Sequence, residues 1–160
     1  MENSSRETKF MQLAIELGRN GMLQNEGGPF GCVIVKEDVI VGRGWNKVIV
    51  HNDPTAHAEV TAIRDACNNL GSFQLEGCEI YTSCEPCPMC MGAIYWARPL
   101  KVYFANTRKD AANIGFDDSL IYDELNLPLD KRKIPTQCIG REEAIALFTE
   151  WANKENKNLY

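Results

Sequence analysis

The sequence predicts a layered α/β domain in which one sheet is covered by helices. Three observations point there. Short β-branched runs alternate with longer segments of helical periodicity, the pattern that lays helices on a sheet. Two of those runs, Gly31 to Val35 and Val39 to Val41 extending toward Trp45, are separated only by Lys36-Glu37-Asp38 and read as an antiparallel hairpin. A chain of 160 residues, 44% of them apolar, has room for a real core in one domain. No repeat, low-complexity tract or linker divides it, so a single domain over residues 1–160 is expected.

The elements follow in order. Phe10, Leu13, Ala14 and Leu17 make an apolar stripe on a helix over residues 5–23, which Gly27-Gly28-Pro29 ends. After the hairpin, Asp53-Pro54-Thr55 reads as a helix start, with Asp as cap and Pro in the first turn, and predicts a helix from Pro54 to Asn69. Ile80 to Ser83 is a third strand. Pro86 opens a helix to Ala97, and Lys101 to Ala105 is a fourth strand. Residues 106–135, interrupted at Leu127-Pro128, give no clear pattern. A last helix over Arg141 to Lys154 places Ile145, Phe148, Trp151 and Ala152 on one face.

Composition excludes some functions. No run of eighteen apolar residues exists, and Met1-Glu2-Asn3-Ser4-Ser5 is polar with no apolar signal core, so a cytoplasmic protein without a membrane partner is expected. The net charge of −5 argues against a nucleic-acid partner, because phosphate-binding surfaces are usually basic. Three of the seven cysteines cluster at Cys84, Cys87 and Cys90. In a reducing compartment such a cluster reads as metal binding or redox chemistry rather than a disulfide framework.

The chemistry concentrates in His57-Ala58-Glu59 and Pro86-Cys87-Pro88-Met89-Cys90. Together they form the signature of zinc deaminases. Zinc takes sulfur and imidazole nitrogen in a tetrahedron. Cys87 and Cys90 share one helix face near an N-terminus, where unpaired N–H groups favour thiolates. With His57 they leave a fourth position for one water per zinc, whose pKa the metal lowers toward about 7. Glu59, two residues beyond His57, can lie beside that water as proton shuttle without ligating the metal. If Cys84 also ligated, the site would instead be a closed structural zinc. His51 has no partner motif and reads as a loop residue.

These motifs resemble the cytidine deaminase-like superfamily, and the resemblance extends to Gly28-Pro29-Phe30-Gly31, Ala93-Ile94-Tyr95-Trp96-Ala97-Arg98 and Ile114-Gly115-Phe116-Asp117-Asp118, which are similar to the bacterial guanine deaminase family. The resemblance implies a three-layer α/β/α sandwich with a mixed five-stranded sheet, and a homodimer whose C-terminal segment is swapped between subunits. It implies hydrolysis of guanine, a small purine base, to xanthine and ammonia. By the same resemblance, Asn46 bonds the purine edge and Phe30 and Trp96 wall the base. Asp118 accepts from guanine N–H groups, and Tyr160 reaches the partner's site. Read from the residues alone, the lesser alternatives are plain core residues for Phe30 and Trp96 and a strand-end turn residue for Asn46. Which of Asp117 and Asp118 faces the pocket stays open, and a terminal Tyr160 is usually frayed. The alternatives are a guanosine deaminase, a tRNA adenosine deaminase and a non-enzymatic scaffold stabilised by zinc. A triazine such as ammeline, which resembles half of guanine, is a plausible side substrate.

Overall fold

In the computed structural model, residues 5–160 are described; the polar start, Met1–Ser4, lies outside the described residues. The chain divides into two units, Met1–Asp118 and Ser119–Tyr160.

The first unit opens with α1 (Arg6–Leu23), capped by the Ser5 hydroxyl, which accepts from Thr8 N–H. The expected hairpin follows as β1 (Gly31–Lys36) and β2 (Val39–Trp45), turning through Glu37 and Asp38, both at positive φ. A single helical turn, α2 (Val48–His51), comes next and holds His51, which the sequence placed in a loop. Then come α3 (Ala58–Leu70), β3 (Cys78–Cys84), α4 (Pro88–Ala97), β4 (Lys101–Asn106) and α5 (Arg108–Asn113).

The sheet runs in the order β2-β1-β3-β4. Both pairings of β1 are antiparallel, and β4 lies parallel to β3, with α4 as the crossover. The sheet is therefore mixed, as expected, but the described residues supply four strands where the resemblance implied five. The chain cannot run straight on from β4 into another strand. Thr107 and Asp110 form a reciprocal cap, with Asp110 N–H on the Thr107 hydroxyl and Thr107 N–H on the Asp110 carboxylate, and this starts α5 at once.

Strand alternation builds two cores. Cys32, Ile34, Cys78 and Ile80 face Ala58, Ala62 and Ala66 of α3 and Ile94 and Ala97 of α4. Val33, Val35 and Tyr81 face the other way, toward Ala14, Phe10, Met11 and Leu17 of α1. Three layers result. The α3 layer sits unusually close to β2, because a Cβ added to Gly44 would lie 2.2 Å from the Ala58 carbonyl oxygen and one on Gly42 would lie 2.6 Å from that of Ala62. Glycine on the strand against alanine on the helix fixes the head of α3, which carries His57 and Glu59.

The second unit contains α6 (Ser119–Leu125), a 3-10 turn at Leu129–Lys131, and α7 (Arg141–Asn153). Glu124 accepts from Lys133 N–H, and Arg132 Nε donates to the Leu127 carbonyl, so the Pro-interrupted stretch is tied by its own polar groups. None of its residues is buried. Among the described residues no helix is long and apolar enough to cross a membrane.

Candidate active site

Two helix heads build the site. The sequence expected α3 to begin at Pro54; it begins four residues later. The Asp53 carboxylate closes a turn instead, accepting from Thr55 N–H at 2.8 Å and the Thr55 hydroxyl at 2.7 Å. His57 consequently stands at the N-cap, in extended conformation, with Glu59 in the first turn. The second helix behaves alike: it starts at Pro88 rather than Pro86, so Cys87 is the N-cap residue and Cys90 lies on the first turn, fully buried.

His57 Nδ1 lies 3.6 Å from Cys87 Sγ and 3.5 Å from Cys90 Sγ. The three ligand atoms all fall within 4.8 Å of one another, the sole such cluster among the described residues. A tetrahedral zinc with ordinary Zn–N and Zn–S bonds separates nitrogen from sulfur by about 3.5–3.6 Å, so the donor set fits the ion in type and in spacing. Cys84 stays out of the cluster. Its sulfur is directed to the Thr107 carbonyl at 3.7 Å, and burial pushes its thiol up to about 11. The closed four-donor site is therefore not formed.

The electrostatics suit a metal. The Cys87 thiol is pushed down to about 4, chiefly by a hydrogen bond with Cys90 and further by His57. Cys90 is shifted upward, first by its hydrogen bond with Cys87 and then by burial. His57 is raised, first by its hydrogen bond to Cys87. Glu59, 6% exposed, is raised by burial, against the opposing pull of hydrogen bonds including Thr82 Oγ1, which donates to Glu59 Oε1 at 2.9 Å.

The other expected residues are placed unevenly. Asn46 is buried, its N–H donating to the Phe30 carbonyl at 3.0 Å and its Oδ1 accepting from Val48 N–H at 3.2 Å. Phe30 meets Phe116 edge to face with centroids 5.0 Å apart. A Cβ on Gly28 would lie 2.9 Å from the Phe30 ring and 3.0 Å from the Phe116 ring, so any larger residue there must displace the aromatic pair. Asp118 is half-buried and raised, by burial first and then by the Cys87 sulfur, whereas Asp117 is exposed. Trp96, on the last turn of α4, is 63% exposed, so it is not a core residue. Tyr160 belongs to the second unit and is 70% exposed.

Sequence reasoning overlooked Phe116 and Thr82. Phe116 stood inside the quoted Gly-Phe-Asp-Asp motif. Thr82 could have been found by strand parity, since it shares a sheet face with Ile80 and Cys84.

Residues 4–106 match the cytidine and deoxycytidylate deaminase zinc-binding region. The chain belongs to this zinc-binding deaminase family. Membership agrees with the donor set of His57, Cys87 and Cys90 and makes zinc the cofactor of the family member described here. Within and around the family, the chain is 52% identical over 151 residues to a guanine deaminase of Bacillus subtilis, covering 94% of this chain and 97% of that one. It is 33% identical over 151 residues to a tRNA-specific adenosine deaminase of Buchnera aphidicola, again covering 94% and 97%. The X-ray structure of guanine deaminase from Bacillus subtilis superposes with a TM-score of 0.93 at 52% identity, over 95% of this chain and 97% of that chain.

Proposed function

We propose that this deaminase hydrolyses guanine to xanthine and ammonia. The observation that carries the chemistry is a buried Glu59 carboxyl beside a cluster of three protein donors, with no fourth protein donor among the described residues. A purely structural zinc site has no need of that acid. The choice of guanine is supported by the relative that shares 52% of its residues across nearly the full length.

Zinc, when bound, supplies the activation that lets water act as a nucleophile near neutral pH. Glu59 takes a proton from the water that adds to C2 of the purine and gives it to the adjacent N3; it then takes the second proton, from the new C2 hydroxyl, and delivers it to the amino group as the C2–N bond breaks, the C2 carbonyl forms and ammonia leaves. Burial raises Glu59 toward the range in which a carboxyl both accepts and donates efficiently. Asp118 accepts from guanine's N1 and 2-amino edge, and Asn46 serves the mixed edge. Phe30, backed by Phe116, and Trp96 offer apolar faces to the ring.

The assembly we propose is a homodimer in which Ser119–Tyr160 is exchanged, so that Tyr160 closes the partner's site. Three features support it. No residue of Ser119–Tyr160 is buried within its own chain. Phe148 is 74% exposed on α7. On the first unit, β4 pairs only with β3 among the described residues, and Phe104 and Leu100 are exposed there. All seven cysteines are free, which fits a reducing cytoplasm.

Purified zinc-loaded protein offered guanine, guanosine, cytosine and an adenosine-bearing tRNA anticodon stem tests the reading. Ammonia is expected from guanine in preference to the others. Release confined to the RNA would overturn the substrate and favour the function named for the 33% identical relative.

A further inference from the structure

We propose that Thr82 is a positioning residue that aims the Glu59 carboxyl during deamination. The inference rests on the deaminase reading above. Thr82 sits on β3 opposite Cys32 of β1, on the sheet face that α3 covers. It is 1% exposed. Its Oγ1 donates to Glu59 Oε1 at 2.9 Å. The two residues are 23 apart in sequence, and the bond ties the central strand to the first turn of the helix that carries the proton shuttle.

The geometry has a chemical purpose. A glutamate side chain has three rotatable bonds, and a proton shuttle must present the same oxygen first to water and then to a ring nitrogen. Holding reacting groups in register is a large part of enzymatic rate acceleration. The α3 head fixes only where the Glu59 side chain begins. At its far end Thr82 holds Oε1, beside bonds to the carboxylate from the Glu59 N–H and from Cys90. A β-branched side chain on a strand is stiff about χ1, so its hydroxyl is itself well placed. The other neighbours are poor substitutes: Cys32 and Cys84 lie within the field of Glu59 but offer only weakly donating thiols, raised by burial, and Cys90, which also bonds Glu59, has no proton to donate once its sulfur ligates zinc as a thiolate.

The test compares Thr82→Val, which keeps the shape and removes the hydroxyl, with Thr82→Ser, which keeps the hydroxyl. Both are made in the full zinc-loaded protein. Thr82→Val is expected to lower kcat for guanine by about 10-fold or more with KM within about twofold, the scale of a lost hydrogen bond to a charged group. Thr82→Ser is expected to restore kcat to within about threefold of the parent. A second readout is independent of turnover. The Glu59 carboxylate infrared band, assigned by its loss in Glu59→Gln, should shift in Thr82→Val and return in Thr82→Ser. An unchanged kcat in Thr82→Val overturns the inference, and so does an equal loss in both variants, which would assign the effect to packing. Loss of fold or zinc in Thr82→Val also overturns it, by making the role structural. A parent protein that releases no ammonia from guanine would fail the function itself; turnover by the parent together with an unaffected Thr82→Val fails only the aiming role.

Discussion

Glu59 occupies a place where burial favours its neutral form and a threonine hydroxyl and a cysteine oppose that shift. That balance suits a group that must both take and give a proton. Glu59→Gln keeps the shape and the acceptor for Thr82 but cannot carry the proton. Ammonia release is expected to fall by about 10²- to 10⁴-fold, with zinc content unchanged by atomic absorption. Full activity in this variant would remove Glu59 from the mechanism. At this scale the sequence was highly legible for His57, Glu59, Cys87 and Cys90, because each pair lies within three residues and the spacing itself encodes the geometry. Thr82 was not legible, because its partner is 23 residues away and a lone threonine on a strand carries no spacing signal. Asp118 was half legible. The motif pointed to a pair of acids, and the fold leaves Asp117 exposed and Asp118 half-buried.

The elements were mostly predicted, and the errors have physical causes. Both ligand-bearing helices begin later than their prolines announced. At α3 the Asp53 side chain is spent on a turn with Thr55 rather than on a helix cap, which leaves the N-cap to His57. The seam between β2 and α3 was invisible in the sequence, because nothing in the residues around Gly42 and Gly44 says which helix lies against them. Gly44→Ala is expected to destabilise the fold by about 1–3 kcal/mol, seen as a lower urea midpoint, since the new methyl meets the Ala58 carbonyl. An unchanged midpoint would mean that α3 can lift at no cost. The two side-chain-closed turns also set an acid response. Hydrogen bonds from Thr55 and from Thr107 hold Asp53 and Asp110 below their ordinary value of 3.8. Folded protein therefore binds fewer protons than unfolded protein just below that value. This contribution is complete above the unfolded pKa and disappears as pH falls through the lowered one. Zinc-free Asp53→Asn/Asp110→Asn protein should lose less stability than its parent between about pH 5 and pH 3 in urea titrations. Matching losses would show that the turns do not contribute.

At the level of the whole molecule, the zinc site joins the heads of α3 and α4, two elements from opposite sides of β3 in the chain order. An ion bound only by the folded state stabilises it by mass action. Removing zinc with a chelator should lower Tm by about 10 °C, and Zn²⁺ but not Mg²⁺ should restore it. A Tm indifferent to chelation would contradict the joint. The fold class was legible from alternation and from the hairpin, and the mixed sheet from the family resemblance. The fate of Ser119–Tyr160 was not. Periodicity announces that α7 has an apolar face, as Phe148 and Trp151 confirm, but not which surface it covers.

The donor set has one more consequence, which concerns supply rather than catalysis. Two sulfurs and one nitrogen rank ions by softness, and His57, Cys87 and Cys90 offer no oxygen to a harder competitor. By that ranking copper outcompetes zinc for the same three atoms. The identity of the resident ion is thus set by the tetrahedral spacing of the three donors together with what the cell makes available, and not by raw affinity.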